Sequence, residues 1–191
     1  MIKKLLGVLT FYILLLIGNV AFANEMAEVE VIVFEQIQKD NDEKRRYPGD
    51  LERNNSIDLF EDAKLPFPNI KILDKSEYKL NEHRNRLARH KNFRILQHLA
   101  WEQDFDKYST KGIYIKPTEI DSILFSEIEA IIKARPYQNN IIVDVDAIAK
   151  IGEDEYASRI KSKKVISNKQ IYYFDHPDFG VILQVRPKTN S

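Results

Sequence analysis

Two histidine-bearing segments hold the residue types best suited to chemistry. His98 lies in Gln97-His98-Leu99-Ala100-Trp101-Glu102, and His176 lies in Asp175-His176-Pro177-Asp178. An imidazole beside a carboxylate can serve as a general base or join a metal site. A zinc centre needs three or four ligands, and neither H-x-x-x-H nor H-E-x-x-H occurs in the chain. His83 and His90 stand seven apart among Arg84, Arg86, Arg89 and Lys91, a poor environment for a cation. No metal site and no cofactor is expected. Nucleophile sets fare no better, since there is no cysteine and no G-x-S-x-G. Ser158-Arg159-Ile160-Lys161 has the S-x-x-K spacing, but it runs into an expected strand where that motif opens a helix. Glu127 and Glu129 share one strand face, as paired carboxylates do in glycosidases. Alternating charge on a solvated strand is the commoner reason for such a pair. No catalytic residue is assigned, and the chain is not expected to be an enzyme.

The aromatic residues point to binding. Trp101, Tyr172, Tyr173, Phe174 and Phe179 fall in the two histidine segments. Aromatic faces can stack on flat apolar surfaces, and carboxylates pair with Arg or Lys. The expected ligand contacts are Trp101 and Tyr172 for stacking, with His98, Asp175 and His176 for hydrogen bonding. Arg84, Arg86 and Arg89 add a positive ridge. Plainer readings stand beside these. Phe174 and Phe179 suit a core, the arginines suit a solvated helix face, and Asp175 and His176 suit a pinned hairpin turn.

The elements that would carry these residues follow from periodicity. Val29 to Phe34 is β-branched and apolar, which predicts a first strand. Residues 38–73 hold a charged run, Pro48-Gly49, Asn54-Asn55, Pro66 and Pro68, which predicts a long loop or insertion. Ser76 to Lys91 reads as a helix with Ser76 as its cap. Phe93 to Gln103 alternates as on a strand and is read as one, while Ile95, Leu96 and Leu99 would also fit a helix. Ile113 to Ile115 is a short strand that Pro117 ends. Strands are expected again at Glu127 to Lys133 and Ile141 to Val145, around a turn at Pro136 to Asn140. The chain ends in a meander of Ile160 to Ile166, Ile171 to Phe174 and Val181 to Val185. With no Gly-rich crossover, this pattern predicts an α+β fold, an antiparallel sheet with one or two helices packed on it.

The chain has 191 residues with 29 basic and 29 acidic side chains, so no global charge draws it to nucleic acid. Ten Phe, nine Tyr and one Trp make a composition that folds. Lys3 and Lys4, the apolar run Leu5 to Val20, and Ala21-Phe22-Ala23 form a signal peptide over residues 1–23, with cleavage expected before Asn24. A retained anchor is the competing reading, although the run falls short of the ~20 residues that span a bilayer. After cleavage, residues 24–191 would form a single domain in the periplasm, outside the membrane. Without cysteine, a packed core alone must hold that domain together.

Three segments in order carry a family resemblance: Glu28-Val29-Glu30-Val31-Ile32-Val33-Phe34-Glu35, Arg94 to Gln103, and Ile171 to Ile182 with its Tyr-x-Asp-His-Pro-x-Phe-Gly run. Together they resemble the CsiV family of Gram-negative bacteria, exported proteins described as peptidoglycan-binding and involved in cell-shape integrity. The resemblance implies a non-enzymatic envelope factor that binds peptidoglycan and supports cell-wall synthesis by regulating its enzymes. Its acetylated sugars would offer apolar faces to the aromatic residues, and its stem peptides would offer carboxylates to the arginines. The competing reading is a protein-interaction module that docks on a cell-wall synthase, or on the outer-membrane lipoprotein that activates it, with little direct peptidoglycan contact.

Overall fold

The computed structural model describes residues 26–37, 49–61, 69–106, 111–116, 126–151 and 157–188. The expected signal peptide at 1–23, parts of the 38–73 stretch and the Glu127 side chain lie outside the described residues.

Runs rich in Val and Ile form the strands: β1 (Met26–Gln36), β2 (Ser56–Asp58), β3 (Ile70–Ile72), β4 (Phe93–Asp104), β5 (Gly112–Ile115), β6 (Ser126–Tyr137), β7 (Asn140–Ile151), β8 (Ala157–Ile166), β9 (Ile171–Asp175) and β10 (Phe179–Lys188). They divide between two five-stranded sheets. The first has the order β3-β4-β1-β10-β9 and is antiparallel throughout. The second has the order β2-β5-β6-β7-β8, with only the β2–β5 pair parallel.

One apolar cluster draws from both sheets. Val29, Val31 and Val33 of β1 and Val181, Leu183 and Val185 of β10 meet Ile132 of β6 and Val143 and Val145 of β7. This is a sandwich core, with alternate residues of each strand turned inward. Each large side chain buried there contributes roughly 1.5–3 kcal/mol.

The expected α+β fold is therefore corrected: the protein is mostly β, in two sheets, with one α-helix among the described residues. The second sheet, more than a helix, covers the inner face of the first. The physical reason lies in the β6–β7 ribbon. It runs unbroken from Ser126 to Ile151 around a short turn, longer than the strands expected there, and presents its own apolar face. The helix α1 (Asn81–Arg89) is also shorter than expected and holds no buried residue. Ser76 does not cap it; Ser76 sits in a separate 3-10 turn (Lys75–Glu77), where the Asp74 amide donates to the Glu77 carboxylate at 3.0 Å.

Candidate functional site on the outer face of the first sheet

Along β1, the residues alternating with the inward valines are Glu28, Glu30, Ile32, Phe34 and Gln36, and they face away from the second sheet. Glu30 is fully buried on this face. Its carboxylate accepts the backbone amides of Lys79 and Leu80, each at 2.8 Å, and so anchors the segment leading into α1. It also pairs with His98 Nε2 at 2.9 Å and accepts Arg186 Nη1 at 3.0 Å. Arg186 Nε donates in turn to Glu28 at 3.0 Å. Burial pushes the Glu30 carboxyl up, but the bonds from His98, the two amides and Arg186 outweigh it and hold the group below its ordinary value. The Tyr78 ring meets His98 edge-on, with 4.7 Å between centroids. This network is a fastener for α1.

Further along the same face is a row of aromatic rings. His90, just past the end of α1, lies 5.0 Å from Phe93, Phe93 lies 5.3 Å from Phe34, and Phe34 lies 5.9 Å from Tyr173 on the edge strand β9. Phe34 is buried beneath this row, whereas Tyr173 is 43% exposed. The Tyr173 hydroxyl donates to Asp175 at 2.6 Å, and Gln36 Nε2 donates to the same Asp175 oxygen at 3.0 Å. Burial and the neighbouring Asp175 carboxylate push the Tyr173 phenol well above its ordinary value, so it stays a neutral donor. A half-exposed ring fixed at its hydroxyl, with a carboxylate beside it, can stack on an apolar face and hydrogen-bond its rim.

Gly180 makes the row possible. A Cβ there would come within 2.6 Å of both Phe34 Cζ and Tyr173 Cε2. The glycine of the Tyr-x-Asp-His-Pro-x-Phe-Gly run is thus a clearance for two rings.

The expected site residues scatter. Trp101 is fully buried in the sandwich core and donates Nε1 to Gln103 at 2.8 Å, so its ring offers no stacking face. Tyr172 is half-buried against the core, and its hydroxyl accepts the Ser167 amide and donates to Gln170. His98 belongs to the Glu30 network. His176 lies in the β9–β10 turn, where its amide donates to the Phe179 carbonyl and its Nδ1 accepts the Asp178 amide. Asp175 is exposed and joins Tyr173. Arg84, Arg86 and Arg89 are exposed on α1, with Arg86 paired to Glu82. The structure therefore groups Asp175 with Tyr173 and separates both from Trp101 and His98.

Sequence reasoning counted Tyr173 among the aromatic residues that point to binding without making it a ligand contact, and assigned no role to Glu30 or Arg186. Glu30 carried a signal, as an acid in the middle of a Val-rich strand, and the alternation of Tyr173 with Phe174 was another. Among the described residues there is no group of three or more His, Asp or Glu placed to hold a metal, and no helix long and apolar enough to cross a membrane.

The fold and this face define a β-sandwich with a prepared aromatic surface, a form suited to binding. The model of a family described as "Peptidoglycan-binding protein, CsiV" matches residues 5–120, and the chain belongs to that family. The match takes in β1, α1 and the His98 segment, while the Tyr173 to Gly180 run lies beyond it. Neither the curated proteins nor the solved structures provide a match.

Proposed function

We propose that this protein is an exported, non-enzymatic accessory factor of the Gram-negative periplasm that binds peptidoglycan and supports cell-wall synthesis and cell shape. Membership of a peptidoglycan-binding family is the observation that carries the reading. Its contact surface is the row from His90 to Tyr173. Tyr173 stacks on a sugar or its acetamido group, Asp175 and Gln36 accept and donate hydrogen bonds at the rim, and Arg86 and Arg89 in the last turn of α1 attract stem-peptide carboxylates. Trp101 takes no part, because it is buried.

The test is co-sedimentation of residues 24–191 with protein-free sacculi at low and moderate salt. Binding that survives moderate salt but weakens with it fits a stacked contact with an ionic contribution. Absence of binding at both salts would overturn the reading. It would favour the interaction module that docks on a synthase or its lipoprotein activator.

A further inference from the structure

The outer face of the second sheet is charged, in ordered rows. Across β6, β7 and β8 the register sets Lys133 beside Asp144 and Asp144 beside Lys163. Two residues along, on the same face, Ile131 stands beside Asp146 and Asp146 beside Lys161. These residues line a cleft of about 440 Å³, with Glu52 at its edge.

The pairing inside the cleft is incomplete. Both oxygens of Asp146 are taken by the Arg159 fork, at 2.7 and 2.8 Å. Lys161 consequently stands 3.7 Å from Asp146, outside hydrogen-bond range, and Lys163 stands 3.7 Å from Asp144. Lys133 is half-buried and makes no ion pair among the described residues. Its stem lies over Gly112 of β5, where a Cβ would sit 3.1 Å from Lys133 Cε and 2.4 Å from Ile131 Cγ2. Gly112 thus opens the floor along which Lys133 lies. Among the described residues, the cleft offers three ammonium groups with no hydrogen-bonded acceptor, two of them in longer ion pairs of 3.7 Å, around Asp144, whose carboxylate no described ammonium approaches within hydrogen-bond range.

We infer that this cleft is a second peptidoglycan contact, taking a peptide residue that carries both a free carboxylate and a free ammonium group. The carboxylate meets Lys133 or Lys163, and the ammonium sits over Asp144, which stands between them, or reaches Glu52. The diamino acid of peptidoglycan stem peptides has that chemistry, whereas the glycan strand does not. The inference rests on the reading above but uses the opposite face of the sandwich, so the two contacts can fail separately.

The experiment is calorimetric titration of the exported protein with the tripeptide alanyl-γ-glutamyl-diaminopimelate, and with the same peptide acetylated on its free side-chain amine. Lys133→Gln should weaken the free tripeptide by about tenfold or more, the scale of one lost hydrogen bond to a charged group. Acetylation should weaken it similarly for the unaltered protein. Where Lys133→Gln lowers the unfolding temperature, the exposed Lys163→Gln serves as the second variant and should give the same direction. Equal tripeptide affinity in the unaltered protein and a folded variant would overturn the inference. So would no binding by the unaltered protein at millimolar peptide. If sacculi still sediment the protein in that case, the cleft is wrong and peptidoglycan binding stands; if they do not, both readings fall.

Discussion

Tyr173 lies nearly parallel to Phe34, with 10° between the ring planes and 5.9 Å between their centroids, while Asp175 holds its hydroxyl at 2.6 Å. The exposed face of this ring is fixed before any ligand arrives, so binding costs little side-chain entropy.

Replacing the ring tests that consequence directly. Tyr173→Ala should weaken sacculus binding by about 3–10-fold, the scale of an aromatic stacking contact. Its unfolding transition should move little, because the ring is half-exposed. Gly180→Ala should weaken binding and also destabilise the fold, displacing the ring through its 2.6 Å clash and costing about 1–3 kcal/mol in urea unfolding. Sedimentation unchanged by both variants would remove Tyr173 from the contact surface.

Trp101 should behave in the opposite way. Trp101→Ala empties a site in the sandwich core and should cost about 3–5 kcal/mol. The fraction that stays folded should bind sacculi as the unaltered protein does. A variant of unchanged stability with lost binding would contradict the burial of this ring.

The two aspartates of the β9–β10 turn should separate cleanly. Asp178 is buried and accepts the Ser158 hydroxyl from β8, tying the hairpin to the second sheet. Asp178→Ala strands that hydroxyl and should cost about 1–3 kcal/mol. Asp175→Ala, on the exposed side, should stay within about 0.5 kcal/mol and instead loosen Tyr173 and weaken sacculus binding. Thermal unfolding and sedimentation of both variants check the contrast.

Glu30 predicts an acid response. Its folded value lies below the ordinary 4.5, so its contribution is complete above that value and is lost as pH falls through the lower folded value. Glu28 acts in the same sense: burial pushes it up, but Arg186 and Lys188 hold it down on balance. Urea midpoints measured between about pH 6 and pH 3 should fall steeply for the unaltered protein and less steeply for Glu30→Gln. Parallel curves would mean that Glu30 does not couple folding to protonation. Glu30→Ala should cost about 3–5 kcal/mol near neutral pH, since Arg186 then loses a buried partner.

Much of this architecture was legible in local pattern. Val29 to Phe34 is β-branched and apolar, Phe93 to Gln103 alternates although Ile95, Leu96 and Leu99 also suit a helix, and the last two segments read as a meander. All are strands, because these preferences are set by neighbours along the chain. Family membership was legible too, in β1, the His98 segment and the Tyr-x-Asp-His-Pro-x-Phe-Gly run, and the match over residues 5–120 covers the first two of these.

The division into two sheets was not legible. β1 pairs with β4 on one side and with β10 on the other, and Glu28 meets Arg186 at a separation of 158 residues. Such partners are selected by which apolar faces can be buried together, a property of the whole chain. The same limit applies to the site. In Tyr172-Tyr173-Phe174, alternation places Tyr173 opposite both neighbours but cannot say which face meets the other sheet. β4 adds a shift in register, with Val33 opposite Gln97 and Phe34 opposite Ile95, so that Leu96 is passed over. Local sequence therefore dictated which residues are extended and which family the chain joins. Long-range packing dictated that Trp101 is core and Tyr173 is surface, since only the packing of one sheet on the other defines an inside.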